Sequence, residues 1–166
     1  MILRGARLLL RPMRPQDVPL LAAIASEPEV ARWWGDVPES ELVAKAAGED
    51  DVEAFVIELD GDVVGLIQVY EHPDPQYRHA GIDLFLSSRA TGRGLGREAV
   101  RLLADHLLDD RGHHRLTIDP AAGNERAIRC YEAVGFRRVG IMRRYERGAD
   151  GVFHDGLLME LVREDQ

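Results

Sequence analysis

One cysteine, two tryptophans and no hydrophobic run long enough to cross a bilayer set the first limits on this chain of 166 residues. With Cys130 alone there can be no intramolecular disulfide. The opening MILRGARLLLRPM holds only a brief apolar run broken by arginines, too short for a secretion signal or a membrane span. The expected compartment is therefore cytoplasmic, with no membrane partner. Positive charge is also short, since 21 Lys and Arg face 29 Asp and Glu for a net charge of -8. An averaged field of that sign repels phosphates and argues against nucleic acid as a partner. Any anion site must then be local, whereas a cationic small molecule would be drawn in. Repeats, low-complexity tracts and Ser/Gly/Pro-rich linkers are missing too, and the length suits one core, so a single domain over 1–166 is expected. His113 and His114 are adjacent but have no partner at ligand spacing, so no metal site is expected.

What is present alternates between two periodicities. Residues 7–11 read as a strand stopped by Pro12, and residues 15–26 as a helix with Val18, Leu21 and Ile24 at helical spacing. Residues 38–47 form a second helix with Pro38 at its start and Gly48 past its end. Residues 53–59 and 63–70 are β-rich runs joined across Asp60-Gly61-Asp62, a hairpin signal because Asp-Gly suits the positive φ angles of a tight turn. Residues 79–87 continue as a strand with Ile82, Leu84 and Leu86 on one face, Asp83 and Phe85 on the other. Residues 94–108 are the clearest helix, with Leu95, Ala99, Leu103 and Leu107 on one stripe. A strand over 115–119, a helix over 124–134 capped by Asn124, and strands over 136–144 and 153–162 complete the chain. The order β-α-α-β-β-β-α-β-α-β-β gives an α/β (α+β) fold, a mixed and mostly antiparallel sheet flanked by helices.

The stretch Arg89-Ala-Thr-Gly92-Arg93-Gly94-Leu95-Gly96-Arg97 joins the last of the early strands to the clearest helix. Its glycines let backbone N–H groups turn toward one point, where the helix leaves its first amides unpaired, and its arginines add local positive potential. A phosphate or pyrophosphate is the natural guest. A Walker loop would need Gly-Lys-Ser/Thr, and the dinucleotide fingerprint would need glycine where Arg97 stands. The alternative is a flexible turn with solvated arginines. Downstream, Asn124, Ala127 and Tyr131 share one helical face, and small Ala127 would admit a ligand chain; Tyr131 is either part of that groove or a core tyrosine. Cys130 is expected to point away from this face.

Together, the strand ending Leu84-Phe-Leu-Ser, the Arg89-x-x-Gly92-x-Gly94 loop and the run from Asn124 through Tyr131 to Gly135-Phe136 resemble the GNAT superfamily of acetyl-CoA-dependent N-acetyltransferases. Trp33-Trp-Gly35, Gly81-Ile-Asp-Leu-Phe-Leu86, Asp119-Pro120 and Asn124-x-Arg-Ala-Ile-Arg-Cys-Tyr-Glu132 look like the aminoglycoside 6′-N-acetyltransferase branch, whose activity is linked to antibiotic resistance. The resemblance implies acetyl-CoA as the acetyl donor, no metal, and direct transfer to a primary amine of a cationic small molecule. The backbone of Leu84, Phe85 and Leu86 would pair with the pantetheine arm and acetyl carbonyl. Arg89 and the segment Gly92, Arg93, Gly94, Leu95, Gly96 and Arg97 would hold the pyrophosphate. Asn124 and Ala127 would line the arm, and Tyr131 would protonate the leaving thiolate, so Cys130 is not needed as a nucleophile.

An ammonium substrate must lose a proton before attack, which gives a cleft carboxylate a role as base or counter-ion. Asp83, among Ile82, Leu84 and Phe85, is the first candidate, against a purely structural carboxylate. Asp119 either binds a second ammonium or simply ends a strand. Trp33 and Trp34 wall a sugar or cationic pocket, unless one of them is core. The segment from Arg143 to His154 is longer and richer in arginine than the closing hairpin of the aminoglycoside enzymes, so no substrate contact carries over to it. Two rival functions stay open: an N-terminal or lysine acetyltransferase of the ribosomal-protein type, which the opening Leu8-Leu-Leu-Arg-Pro-Met13 resembles, and a non-catalytic acyl-CoA binding module. The protein is expected as a monomer or homodimer.

Overall fold

The computed structural model describes residues 1–164, so the last two residues of the expected domain lie outside the described part. Eight strands form one sheet: β1 (Leu3–Arg4), β2 (Leu8–Pro12), β3 (Glu53–Leu59), β4 (Asp62–Glu71), β5 (Ala80–Leu86), β6 (Arg115–Ile118), β7 (Arg137–Arg147) and β8 (Phe153–Val162). Five helices pack on it: α1 (Val18–Ala25), α2 (Pro28–Trp34), α3 (Glu39–Ala47), α4 (Leu95–Asp105) and α5 (Glu125–Val134). The spatial order is β1-β2-β3-β4-β5-β6-β8-β7, antiparallel throughout except for β5 beside β6.

The alternation read in β5 divides the core. Ile82 and Leu84 enter the cluster under α4 and α5, while Phe85 enters the one under α1 to α3. On α4, Leu95, Ala99, Val100, Leu103 and Ala104 are buried along one stripe, and each such leucine contributes about 1.5–3 kcal/mol by leaving water. Asp60 and Gly61 turn the β3–β4 hairpin at φ 52° and 83°, the paired positive angles that Asp-Gly favours. Arg11 forks onto both carboxylate oxygens of Asp17 at 2.8 Å and reaches Glu58, tying β2 to the entry of α1.

Two elements exceed the sequence expectation. The chain has β1, too short to show a period, and α2, a seven-residue helix opened by Pro28 at its first position and stopped at Gly35 with φ 72°. The helix expected to reach residue 108 ends its α-helical part at Asp105 and continues as a π-helical turn, His106–Asp110. The strand expected over 136–144 instead runs to Arg147, with an irregular register against β8 between Met142 and Glu146.

Candidate active site

β5 and β6 are partners only at Ala80–Leu116 and Gly81–Thr117. Beyond that point β5 continues to Leu86, whereas β6 ends at Ile118 and the chain turns off through Asp119 and Pro120. A sheet that parts in this way leaves the inner edge of β5 without a partner strand beyond Gly81. The gap opens into a cleft of about 1170 Å³, bounded by Asp83 to Leu86, the glycine loop, Asp119 to Ala121, and α5, with α2 across the mouth.

The glycine loop forms one end. Gly92 and Gly94 both take φ 76°, which an L side chain resists, and Gly94 caps α4 without any side-chain acceptor for the first helical amides. Leu95, Gly96 and Arg97 therefore present N–H donors at the cleft. The loop is braced from outside: Arg7 donates to the Arg93 carbonyl at 2.7 Å, and Glu98 accepts from the Arg7 amide at 3.2 Å. On its other flank, the Glu27 carboxylate accepts from Ser87 Oγ at 2.8 Å, from Ser88 N at 2.8 Å and from Ser88 Oγ at 2.6 Å. Arg89 turns outward to the Val63 carbonyl at 3.0 Å, and neither it nor Arg93 lines the cleft.

On α5, Asn124 caps the helix by accepting from Ala127 N at 3.3 Å while both residues border the cleft. Tyr131 is both things the sequence left open. Its ring is buried at 8% exposure beside Phe136, and it also lines the cleft. Burial, followed by the nearby carboxylate of Asp83, holds its phenol well above the usual range, so it remains an O–H donor. Cys130 corrects the sequence expectation. It faces the cleft too, because the cavity wraps toward α4, where Gly96 lies close enough that an added Cβ would sit 3.6 Å from the cysteine sulfur. Burial pushes its thiol up to about 11, which keeps it a poor nucleophile.

The opposite end is acidic. Asp83, Asp119 and Glu146 reach it from β5, the end of β6, and β7. Asp83 opens onto the cleft, yet protein crowds its carboxylate from the other sides; that burial, then the charge of Asp119, pushes it up to about 7. Burial also raises Asp119, partly offset by the Tyr145 hydroxyl that faces it, and the same pairing lifts Tyr145 to about 12. Glu146 is raised by burial and by Asp119. Gln68 stands opposite Asp83 across the β4–β5 ladder, and its Oε1 is buried without a hydrogen-bond partner. Gln68, Asp83 and Asp119 are shared with a smaller cavity of about 230 Å³ beside the main one.

The tryptophans divide their work. Trp34 donates Nε1–H to the Leu84 carbonyl at 3.0 Å and packs edge-on against Phe85, so it is structural as well as cleft-lining. Trp33 also borders the cleft and carries the Arg32 guanidinium 4.6 Å over its ring. Sequence reasoning missed Gln68, Glu146, Tyr145, Arg7 and Glu27. Gln68 had a readable signal, a polar residue inside an apolar strand; the others depend on contacts made far along the chain.

Residues 7–137 match the family described as Acetyltransferase (GNAT) domain. The aminoglycoside N(6′)-acetyltransferase type 1 of Klebsiella pneumoniae is 33% identical over 152 residues, covering 79% of this chain and 74% of that protein. Mycobacterium smegmatis RimJ, solved with CoA-disulfide, superposes with a TM-score of 0.86 at 24% identity over 98% of this chain and 87% of its own. The AAC(6′)-Ib structure with paromomycin and acetyl-CoA gives a TM-score of 0.77 at 27% identity, covering 95% and 94% of the two chains.

Proposed function

The chain belongs to the GNAT family of acetyltransferases and is an acetyl-CoA-dependent N-acetyltransferase; on that premise we propose that it acetylates a primary amine of a cationic, aminoglycoside-like small molecule. The observation that carries this reading is the convergence of Asp83, Asp119 and Glu146 on one end of the cleft. Three carboxylates with raised pKa values repel one another, and an acceptor bearing several ammonium groups relieves that repulsion. A peptide N-terminus brings one such group. The relatives at 33% and 27% identity are named for aminoglycoside acetylation, which supports this reading, and the 24% identity to RimJ speaks only to the fold.

The residues present fit acetyl-CoA. The positive φ angles of Gly92 and Gly94 and the uncapped start of α4 supply amides for a pyrophosphate, and the open inner edge of β5 supplies main-chain partners for the pantetheine arm. When bound, acetyl-CoA supplies an activated thioester. Asp83 accepts a proton from the incoming ammonium, and the neutral amine's lone pair attacks the thioester carbon. A β5 amide holds the carbonyl oxygen, and as the carbon–sulfur bond breaks, Tyr131 gives its proton to the sulfur. The new amide nitrogen returns a proton to Tyr131, and Asp83 releases its own to solvent. The net products are the acetylated amine, free CoA thiol and one proton. A mere binding module has no use for both a buried phenol and a half-titrated carboxylate in the same cleft.

A graded series tests the reading: a monoamine, a diamine, spermidine and kanamycin as acceptors in one acetyl-transfer assay. kcat/KM should rise with the number of ammonium groups and lose that gradient at high salt. A flat series would count against it.

A further inference from the structure

The main chain of Leu84 faces the cleft where β5 has lost its neighbour, yet neither of its polar groups is free. Its carbonyl accepts from Trp34 Nε1 at 3.0 Å, and its N–H donates to the Asp83 carboxylate at 3.0 Å. The second contact joins two groups that the transfer needs separately: an amide donor for the thioester oxygen, and a carboxylate for the ammonium. We propose that the free protein masks both by pairing them with each other, and that the thioester carbonyl, on taking the Leu84 N–H, releases Asp83 to receive the amine. This rests on the acetyltransferase reading above and adds to it a coupling between the two ligand sites.

The surroundings favour such an exchange. Asp119 from the end of β6 and Glu146 from β7 face Asp83 with like charge, Lys45 of α3 is a more distant cation, and Tyr131 of α5 is neutral. The Leu84 N–H is the backbone donor that supports the Asp83 charge. Once that donor is withdrawn, the acidic cluster can keep Asp83 ionised only by admitting a cation. Acetyl-CoA and the amine are therefore coupled, each tightening the hold on the other by the same factor. Free CoA has no carbonyl at its sulfur and binds without breaking the Asp83–Leu84 contact.

Calorimetric titration of acetyl-CoA and of free CoA into the parent, Asp83→Ala and Asp83→Asn tests this without any acceptor. Loss of a negative charge helps both anionic ligands alike, so the readout is the ratio of their two Kd values. In Asp83→Ala the ratio should shift on the order of tenfold toward acetyl-CoA, the worth of one charge-assisted hydrogen bond that no longer has to break. Asp83→Asn, which keeps a neutral acceptor near the amide, should shift it less in the same direction. An unchanged ratio in both variants, with the parent binding both ligands, overturns the masking and leaves the acetyltransferase reading standing. Failure of the parent to bind either ligand overturns that reading and this inference with it.

Discussion

Asp83 and Asp119 sit just beyond the point where β5 and β6 separate, and the charge of Asp119 is the second cause, after burial, of the raised Asp83 pKa. Here the parting strands create the cleft and the electrostatic tension within it by the same act.

With Asp83 held at about 7, its ionised form is fully present only above that pH. kcat/KM for a cationic acceptor should fall tenfold per pH unit as pH drops below about 7, and Asp83→Asn should replace this limb with a rise that continues toward the amine's own pKa of about 10, because only amine already neutral can then attack. The pH profiles of the two proteins measure it.

The same shift has a cost in stability. A carboxylate raised in the folded state binds more protons folded than unfolded, so its contribution turns unfavourable as pH climbs from about 4 to 7 and stays so above. Asp83→Asn should therefore melt at a higher temperature than the parent at pH 8, and the gain should vanish toward pH 4. Thermal scans at the two pH values check it.

Tyr131→Phe removes only a hydroxyl from a ring that packs against Phe136. Acetyl-CoA should bind as before while kcat drops about 10²-fold, the lower end of what a general acid supplies. Titration calorimetry beside steady-state kinetics separates the two quantities.

Arg7 lies outside the cleft and braces the Arg93 carbonyl. Arg7→Ala should raise the KM for acetyl-CoA about fivefold by loosening the glycine loop, with the acceptor KM unchanged, as initial-rate kinetics in both substrates will show.

Much of this was legible in the residues. Asp60-Gly61 named its own turn, β3 and β8 kept their expected bounds, Asn124 capped α5, and Gly92 and Gly94 bent the loop as the spacing implied. Local chemistry decided each of them. The acidic end was only half readable, because Glu146 arrives by a register slip after Met142, with Arg144 forced to φ 48° and its amide held by Asp155 at 2.8 Å. No sequence period announces a slip of that kind. Cys130 was misplaced for a related reason: helical geometry gave its direction correctly relative to Tyr131, but the cleft proved wide enough to take in both faces.

Release of free thiol from acetyl-CoA in the presence of kanamycin, spermidine or an N-terminal peptide tests the central claim most directly. Turnover with the polycationic amines, at least tenfold faster in kcat/KM than with the peptide, is the predicted result. A peptide that outpaces both amines would contradict it and give the acidic end of the cleft a different purpose.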